Sequence, residues 1–400
     1  MLKGIKVVEM ATYVAAPGAA GVMADWGADV VKIEPPGGDP IRKFFETFAG
    51  RNAVSGNPIF ELDNRGKRSI SVDPGTPEGA EVVRKLIDEA DVFLTNVRPK
   101  SLERSGLDWT ALRARNPRLI YASVTGYGLQ GPERDRPGFD LAVFWARAGM
   151  GRLTTPKGQE PMPMRTAVGD HTTSLATLSG ILAALFERER TGEGRLVETS
   201  LLRTGIFALG SDMAIQLFLG RVGSTQPRAQ AISPLNNFYQ TADGNWIVLL
   251  TRHAGSQDWI RLIQAIGRPE FETDPRFATP AGRRENGPDL IAAFDEAFRK
   301  RTLAEWAEIL DEADVVWAPV QTPAQVAADP QAEAAGAFVE IEAEDGNRFR
   351  SVAPPVRFDG TQEKVYPGAP KPGEHTEEVL RSLGYGEAEI ADLRARKAVA

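Results

Sequence analysis

Residues 5–33 read IKVVEMATYVAAPGAAGVMADWGADVVKI, and their pattern indicates the fold class of the first part of the chain. Its two ends, Ile5–Glu9 and Asp29–Ile33, are short runs rich in β-branched residues, which predict buried strands. Between them, Pro17–Trp26 is rich in Ala, Gly and Met and predicts a helix. Strands that alternate with helices in this way pair in parallel, with helices packed on both faces of the sheet.

The alternation continues to about residue 125, with further strands predicted at Ser69–Val72, Val92–Leu94 and Leu119–Tyr121. A helix is predicted at Pro77–Glu89, where proline stands in the first turn as expected. The first part of the chain is therefore predicted to be α/β, a Rossmann-like layer built on a parallel sheet.

Helical patterns follow at Asp170–Arg190 and at Val197–Gly220. The residues from about 235 to 330 mix short strands with helices and predict a smaller α+β unit. A chain of 400 residues also suggests about two domains.

The composition excludes several classes of protein. The chain carries 47 Lys and Arg against 54 Asp and Glu, a net charge of −7, which argues against a dedicated nucleic-acid binder. It has no cysteine and only three histidines, so thiolate metal sites and cysteine nucleophiles are excluded and no metal is expected. No run of about 18 apolar residues predicts a membrane helix. Because the N-terminus also lacks the pattern of a signal peptide, we expect a cytoplasmic enzyme.

One glycine pattern, GYGLQG at residues 126–131, matches a dinucleotide-binding fingerprint. That mechanism needs a helix to open at the third glycine, so that its amides face a pyrophosphate. Pro132 and Pro137 follow instead and prevent such a helix. The pattern therefore predicts a surface loop.

Asp170 stands immediately before a helical pattern and has two interpretations. Aspartate is a preferred N-cap residue, so it can simply satisfy free amides of the first turn. Alternatively, the positive end of the helix favours its ionised form, and the carboxylate can attack an acyl carbon. The residues alone leave both interpretations open.

Basic residues gather near two predicted strands. Arg98, Lys100 and Arg104 follow a strand, at the edge where open α/β sheets bind ligands. Lys67 and Arg68 precede another strand. Each group predicts either a solvated charged face or a seat for ligand phosphates.

Ten short stretches occur along the chain in a characteristic order. They are residues 2–9 (LKGIKVVE), 27–35 (GADVVKIEP), 64–70 (NRGKRSI), 90–96 (ADVFLTN), 116–122 (NPRLIYA), 125–128 (TGYG), 169–170 (GD), 190–194 (RTGEG), 239–244 (YQTADG) and 373–376 (GEHT). In this order and spacing they resemble the class III, or CaiB/BaiF-type, CoA-transferase family, which includes formyl-CoA and carnitine CoA-transferases and the related α-methylacyl-CoA racemases.

The resemblance implies that Asp170 is the catalytic nucleophile. Its carboxylate would attack an acyl-CoA thioester to give a mixed anhydride, and the released CoA would return to form an aspartyl-CoA thioester. A carboxylic acid would then accept the CoA. The implied partners are an acyl-CoA and a carboxylic acid, both as substrates, with no tightly bound cofactor.

The resemblance also implies an architecture, in which two subunits interlock into a homodimer. The expected division is a large Rossmann-like domain of residues 1–200 and 335–400, linkers at 201–224 and 326–334, and a small domain at 225–325.

Nine residues fall on the CoA contacts of the family, and Arg104 is the strongest candidate for a phosphate contact. The nine are Val14, Ala15, Val72, Gly75, Asn96, Val97, Arg98, Arg104 and Phe139. Pro35 stands where several relatives have an arginine.

Two alternatives remain beside the transferase. Racemases of this family carry Gly-His-Asp where this chain has Gly138-Phe139-Asp140, and a phenyl ring cannot take a proton. A racemase is therefore the alternative, together with a non-catalytic CoA-binding homologue. His171 lies beside Asp170, but neighbouring helix positions do not share a face, so we expect it to project elsewhere.

The small domain supplies further candidates. The glycine-rich run that covers the nucleophile in formyl-CoA transferase is absent, and Gly255-Ser256 is a candidate for a reduced substitute. Arg252 is predicted to hold the second carboxylate of an acceptor, and His253 is a further candidate for the pocket.

Overall fold

The protein is described from a computed structural model, which covers residues 1–44, 57–165, 167–252, 257–343, 346–360 and 365–400. The chain divides into two compact units. Unit 1 comprises residues 1–152, 162–222 and 336–400, and unit 2 comprises residues 153–161 and 223–335. None of the described helices has the length and apolar character needed to cross a membrane.

The centre of unit 1 is a six-stranded sheet in the order β3-β2-β1-β4-β5-β6, with every pair parallel. This is the Rossmann strand order, and the predicted α/β class is confirmed. The strands are β1 Lys6–Met10, β2 Asp29–Glu34, β3 Arg68–Ser71, β4 Val92–Thr95, β5 Ile120–Thr125 and β6 Leu196–Ser200.

Helices pack on both faces of this sheet, and others lie outside these two layers. They are α1 Ala15–Asp25, α2 Pro58–Asn64, α3 Pro77–Asp88, α4 Pro99–Ser105, α5 Trp109–Arg115, α6 Met150–Leu153, α7 Val168–Thr191, α8 Leu201–Ala208 and α9 Gly210–Leu219, with a π-helix at Leu141–Arg147. Successive strand residues point to opposite faces, so Val7 packs with α1 and α7, while Val8 packs with α3.

The small residues of α1 allow unusually close packing. A Cβ atom on Gly18 would stand 2.6 Å from Oγ of Ser174 on α7. A Cβ atom on Gly21 would stand 2.6 Å from the backbone oxygen of Asp63 on α2. The Ala- and Gly-rich segment between the first two strands therefore sets how near α2 and α7 come to each other.

The sequence prediction was wrong for the start of the helical stretch Val197–Gly220. Residues Leu196–Ser200 form strand β6, which pairs with β5. Gly192 ends α7 in a left-handed conformation with φ of 74°, and the chain then reaches the free edge of β5. The segment becomes a strand because it pairs with the open edge of β5, and a local sequence pattern does not show such an edge.

Unit 2 has a three-stranded antiparallel sheet of β7 Asn237–Gln240, β8 Trp246–Leu250 and β9 Val316–Pro319. Its helices are α10 Asp258–Ala265, α11 Pro280–Glu285, α12 Gly287–Phe298, α13 Leu303–Glu312, α14 Pro323–Ala327 and α15 Pro330–Ala334. Its core is aromatic, with Tyr239 stacked on Phe298 at 5.3 Å between ring centroids.

The C-terminal segment returns to unit 1. It forms a second small sheet of β10 Phe338–Glu342, β11 Arg348–Val352 and β12 Val365–Pro367, followed by α16 Thr376–Ser382 and α17 Glu387–Ala395. Val399 pairs with Val72 in a single β-bridge, just after β3. Both ends of the chain therefore build the same core.

A fully buried charge network crosses the sheet of unit 1. Glu9 on β1 accepts from Nζ of Lys32 at 2.7 Å and from Nζ of Lys67 at 2.6 Å, and all three side chains are inaccessible to water. Lys32 also pairs with Asp39 at 3.0 Å. Burial opposes the ionisation of Glu9, but the two ammonium groups outweigh it and lower its pKa. Lys67, predicted to be a surface or phosphate-binding residue, is instead a core residue, because Glu9 holds it inside.

We expect Glu9→Gln to destabilise the protein by about 3–5 kcal/mol, because buried Lys67 would lose the carboxylate that pairs with it and Lys32 would keep only Asp39. Chemical denaturation at neutral pH measures this. The matched control is Glu89→Gln, which removes the exposed partner of Lys6 and should change stability by less than about 0.5 kcal/mol. Equal effects of the two substitutions would contradict the assignment.

Candidate active site

The carboxyl ends of β1 and β4 form the switch point of the sheet, where the strand order reverses and open α/β sheets bind ligands. The loops that follow these strands are joined by two hydrogen bonds. The Thr12 amide donates to Asn96 Oδ1 at 3.1 Å, and Asn96 Nδ2 donates to the Thr12 carbonyl at 2.7 Å. The Asn96 side chain thus holds the loop after β1 against the loop after β4.

Two cavities open at this edge, both within unit 1. The first has a volume of about 520 Å³ and mostly apolar walls, including Ile33, Val72 and Leu102, with Arg104 also lining it. The second has a volume of about 430 Å³ and contains Asp170. Thr12 lines both cavities, so they adjoin, and an extended ligand can lie across the two.

The second cavity combines aromatic and cationic side chains. Tyr13 and Phe139 meet edge to face, with ring centroids 5.3 Å apart. Arg134 pairs with Glu103 and Asp135, and Arg136 pairs with Glu133. Arg98 makes no ion pair with any described residue, so its guanidinium is available to an anionic ligand.

Helix α7 presents Asp170 to this cavity, and Asp170 is not an N-cap, which was one of the two interpretations that the sequence left open. The helix begins at Val168, so Asp170 is its third residue and lies inside the first turn. Ala167 precedes the helix in a left-handed conformation, with φ of 69°, and starts it earlier than the local pattern indicates. Gly169 is required beside it, since a Cβ atom there would stand 2.5 Å from the Phe144 ring.

The charge state of Asp170 also differs from the sequence expectation of a readily ionised carboxylate. Burial and the nearby carboxyl groups of Asp140 and Asp63 raise its pKa, and His171 lowers it, which together place the pKa at about 7. Near neutral pH, Asp170 therefore exchanges between its carboxylic acid and carboxylate forms.

His171 points away from the cavity that Asp170 lines, as expected for adjacent helix positions, but it has a specific partner. Its Nε2 lies 3.1 Å from Oδ1 of Asp63 on α2. Burial opposes protonation of the imidazole, yet Asp63, Asp170 and Asp140 outweigh it and raise the pKa of His171.

The structure distributes the nine predicted CoA contacts over the two cavities, with one exception, Val14. Val14 is buried in a small apolar cluster with Ile41 and Phe60. The first cavity is lined by Val72, Gly75, Val97 and Arg104, and the second by Ala15, Asn96, Arg98 and Phe139. Pro35 also lines the first cavity.

The small-domain candidates are less informative. Arg252 is already paired with Asp258 at 2.8 Å and Asp314 at 2.6 Å. His253, Gly255 and Ser256 lie outside the described residues. Among the residues that the structure describes, no group of three or more His, Asp or Glu side chains could hold a metal ion.

Sequence reasoning missed Tyr13, Asp63 and the role of Asp140. Tyr13 adopts a left-handed conformation, with φ of 65°, which is rare for a residue of this size. Asp63 comes from a distant helix, and no local pattern connects it to His171. Asp140 was visible in the Gly-Phe-Asp stretch, and its burial beside Asp170 was the missing information.

The fold defines an α/β protein with two adjoining cavities at the switch point of a Rossmann sheet, the place where proteins of this fold bind ligands. The family model described as CoA-transferase family III matches residues 2–376, and the chain belongs to this family.

The chain is similar to relatives of this family over nearly their whole length. The chain is 36% identical to (R)-2-hydroxy-4-methylpentanoate CoA-transferase of Clostridioides difficile, covering 100% of this chain and 99% of the relative. It is 31% identical to cinnamoyl-CoA:phenyllactate CoA-transferase of Clostridium sporogenes, covering 99% and 97%. A crystal structure of a CaiB/BaiF family protein from Brucella suis superposes with a TM-score of 0.83 at 32% identity, covering 96% and 99%. The protein is accordingly an enzyme that transfers CoA, with an acyl-CoA as substrate.

Proposed function

We propose that this enzyme moves CoA from an acyl-CoA to a carboxylic acid through covalent intermediates on Asp170. The observation that carries the proposal is the position of Asp170 in the second cavity, which adjoins the first at Thr12. A thioester that enters along the strand ends can therefore reach the carboxylate.

The chemistry balances without a metal or a redox partner. An Asp170 oxygen attacks the thioester carbonyl, the C–S bond breaks, and CoA leaves as a thiolate, giving a mixed anhydride. The thiolate then attacks the Asp170 carbonyl carbon and expels the first carboxylate. The acceptor carboxylate attacks the carbonyl carbon of this aspartyl thioester, the C–S bond breaks and the thiolate leaves, giving a second mixed anhydride. The thiolate then attacks the acyl carbon of the acceptor, and the C–O bond to Asp170 breaks. Asp170 is regenerated as a carboxylate, and no proton changes hands.

The first cavity suits the nucleotide end of CoA. Its apolar walls offer contact to an adenine ring, and Arg104 offers a charge to a phosphate. Arg98, unpaired among the described residues, offers a second charge in the cavity that holds Asp170. We therefore propose that the first cavity holds the adenine ring and that Arg104 and Arg98 contact the negative charges of CoA.

The active enzyme is proposed to be a homodimer, and the surface of unit 1 supports this. Helix α9 buries none of its residues, and Leu217 and Phe218 are 80% and 89% exposed. Phe207 on α8 is 84% exposed. Apolar side chains this exposed and this close in sequence are typical of a protein interface.

A quenched mixture of the protein with an acyl-CoA should contain an adduct on the Asp170 peptide. Suitable donors are 2-hydroxy-4-methylpentanoyl-CoA, cinnamoyl-CoA and succinyl-CoA, and intact mass with peptide mapping reads the result. Asp170→Asn should abolish the adduct. The matched control is Asp289→Asn, because Asp289 is likewise the third residue of its helix, α12, but lies outside both cavities.

Absence of an adduct with every donor would reject the covalent mechanism. Deuterium uptake at the acyl α-carbon would then identify a racemase, and tight CoA binding without either reaction would identify a binding protein.

Arg104→Ala should raise KM for an acyl-CoA about tenfold, equivalent to about 1.4 kcal/mol. The same substitution should leave KM for the corresponding acyl-pantetheine unchanged, because that donor carries no phosphate. Arg113→Ala is the control, since Arg113 is an exposed arginine on α5 that lines neither cavity. An equal penalty with both donors would show that Arg104 does not contact a phosphate.

The double variant Phe207→Glu and Phe218→Glu should weaken the dimer, because charges replace apolar contacts. Sedimentation velocity distinguishes one 43.4 kDa chain from two. Val352→Glu, at an exposed apolar position on β11, should leave the association unchanged. A wild-type protein that sediments as a monomer would reject the dimer.

A further inference from the structure

We infer that His171 is a positioning residue that supplies, as an imidazolium held by Asp63, a positive charge that favours the ionised form of the neighbouring Asp170 carboxyl group. The inference rests on the proposed nucleophilic role of Asp170. It assigns a task to two side chains, His171 and Asp63, that no step of the proposed reaction uses.

The imidazole of His171 contacts the carboxylate of Asp63 and points away from the cavity that Asp170 lines. Successive helix residues point in directions about 100° apart, so Asp170 lines the second cavity while His171 faces α2. His171 Nε2 lies 3.1 Å from Asp63 Oδ1, and the side chains are 41% and 4% exposed. The His171 ring is therefore fixed at its Asp63 end and open to water on another side.

Asp63 is built for this contact. Its Oδ2 is buried and has no hydrogen-bond partner among the described residues, so the hydrogen bond of its Oδ1 with His171 is the contact that orients the carboxyl group. Gly18 leaves the necessary room, since a Cβ atom there would stand 3.2 Å from Asp63 Oδ1. The glycine of α1 thereby permits α2 and α7 to meet at this pair.

The charges around His171 are mostly negative. Three carboxyl groups interact with it: Asp63 on α2, Asp170 on the same helix as His171, and Asp140, which immediately precedes the π-helix. Lys67 also interacts with Asp63, but Glu9 already binds its ammonium group at 2.6 Å. His171 therefore interacts with all three of these carboxyl groups, whereas Lys67 interacts with Asp63 and is paired mainly with Glu9.

The reaction explains why such a cation is needed. The complete exchange transfers no proton, so the enzyme has no use for His171 as a general base. It does need Asp170 in the carboxylate form, and burial together with two neighbouring carboxylates disfavours that form. A positive charge close to Asp170 offsets this cost without touching the substrate.

The test is the pH dependence of Asp170 acylation in a single turnover, followed by quenched intact mass with cinnamoyl-CoA or 2-hydroxy-4-methylpentanoyl-CoA. For the wild type, the rate should rise with pH through about 7 and then level off, because the carboxylate form accumulates. In His171→Gln the rise should move about one pH unit higher, which makes acylation about tenfold slower at pH 6. Near pH 9 the two rates should agree within about twofold.

His171→Arg restores a permanent positive charge and should return the rise to the wild-type position or below it. The matched control is His375→Gln, the same substitution at a histidine whose Nδ1 accepts from the Ser69 amide and which lines neither cavity. Its profile should superimpose on that of the wild type. Because each profile is compared with its own plateau, a partial loss of folded protein does not alter the reading.

Two results would overturn the inference. The His171→Gln profile could keep the wild-type position and merely lose amplitude, as a structural role predicts, or His171→Arg could shift as far as His171→Gln. If wild-type protein gave no adduct at any pH, the proposed function would fail and would take this inference with it. Normal acylation of Asp170 with an unshifted profile rejects the role of His171 alone.

Discussion

The buried Glu9 carboxylate, held between the ammonium groups of Lys32 and Lys67, is the interaction on which the rest of unit 1 depends. It joins β1 to β2 and to the segment before β3, and Lys32 extends the network to Asp39. Asp39 Oδ1 in turn accepts from the Tyr13 amide at 3.1 Å, which holds that residue in its left-handed turn. Charges inside the sheet thus shape the loop that lines the Asp170 cavity. Because each partner is dehydrated, loss of any one leaves an uncompensated charge in the core.

A second electrostatic constraint lies at the cavity itself. The fold packs Asp63, Asp140 and Asp170 near one another in a half-buried site, where a carboxylate is costly to form. The proposed chemistry requires the ionised form, and His171 is the titratable cation close to all three. Shielding from water, which an anhydride intermediate needs, and ionisation of the nucleophile are therefore opposing demands that the local charges must reconcile.

Much of the fold was predictable, because the Rossmann layer is written in local patterns. The β-branched runs of β1 and β2 and the proline that opens α3 each specify their element within a few residues. The prediction failed at Leu196–Ser200, where pairing with β5 overrides a helical pattern. It also failed at Lys67, because a charged residue is buried only when a distant partner such as Glu9 is present to meet it.

The α/β class, the family resemblance and the presence of Asp170 at the start of a helix can all be predicted from the sequence. These depend on the order and periodicity of neighbouring residues, which a single chain displays directly. The tertiary structure alone decided the surroundings of Asp170: its pKa of about 7, the approach of Asp140, and the contact of His171 with Asp63. Burial and charge interactions depend on distances in space, which the order of residues does not show. Residues 63 and 171 are 108 positions apart in the sequence, and they come into contact because the small side chains of α1 let their helices pack closely.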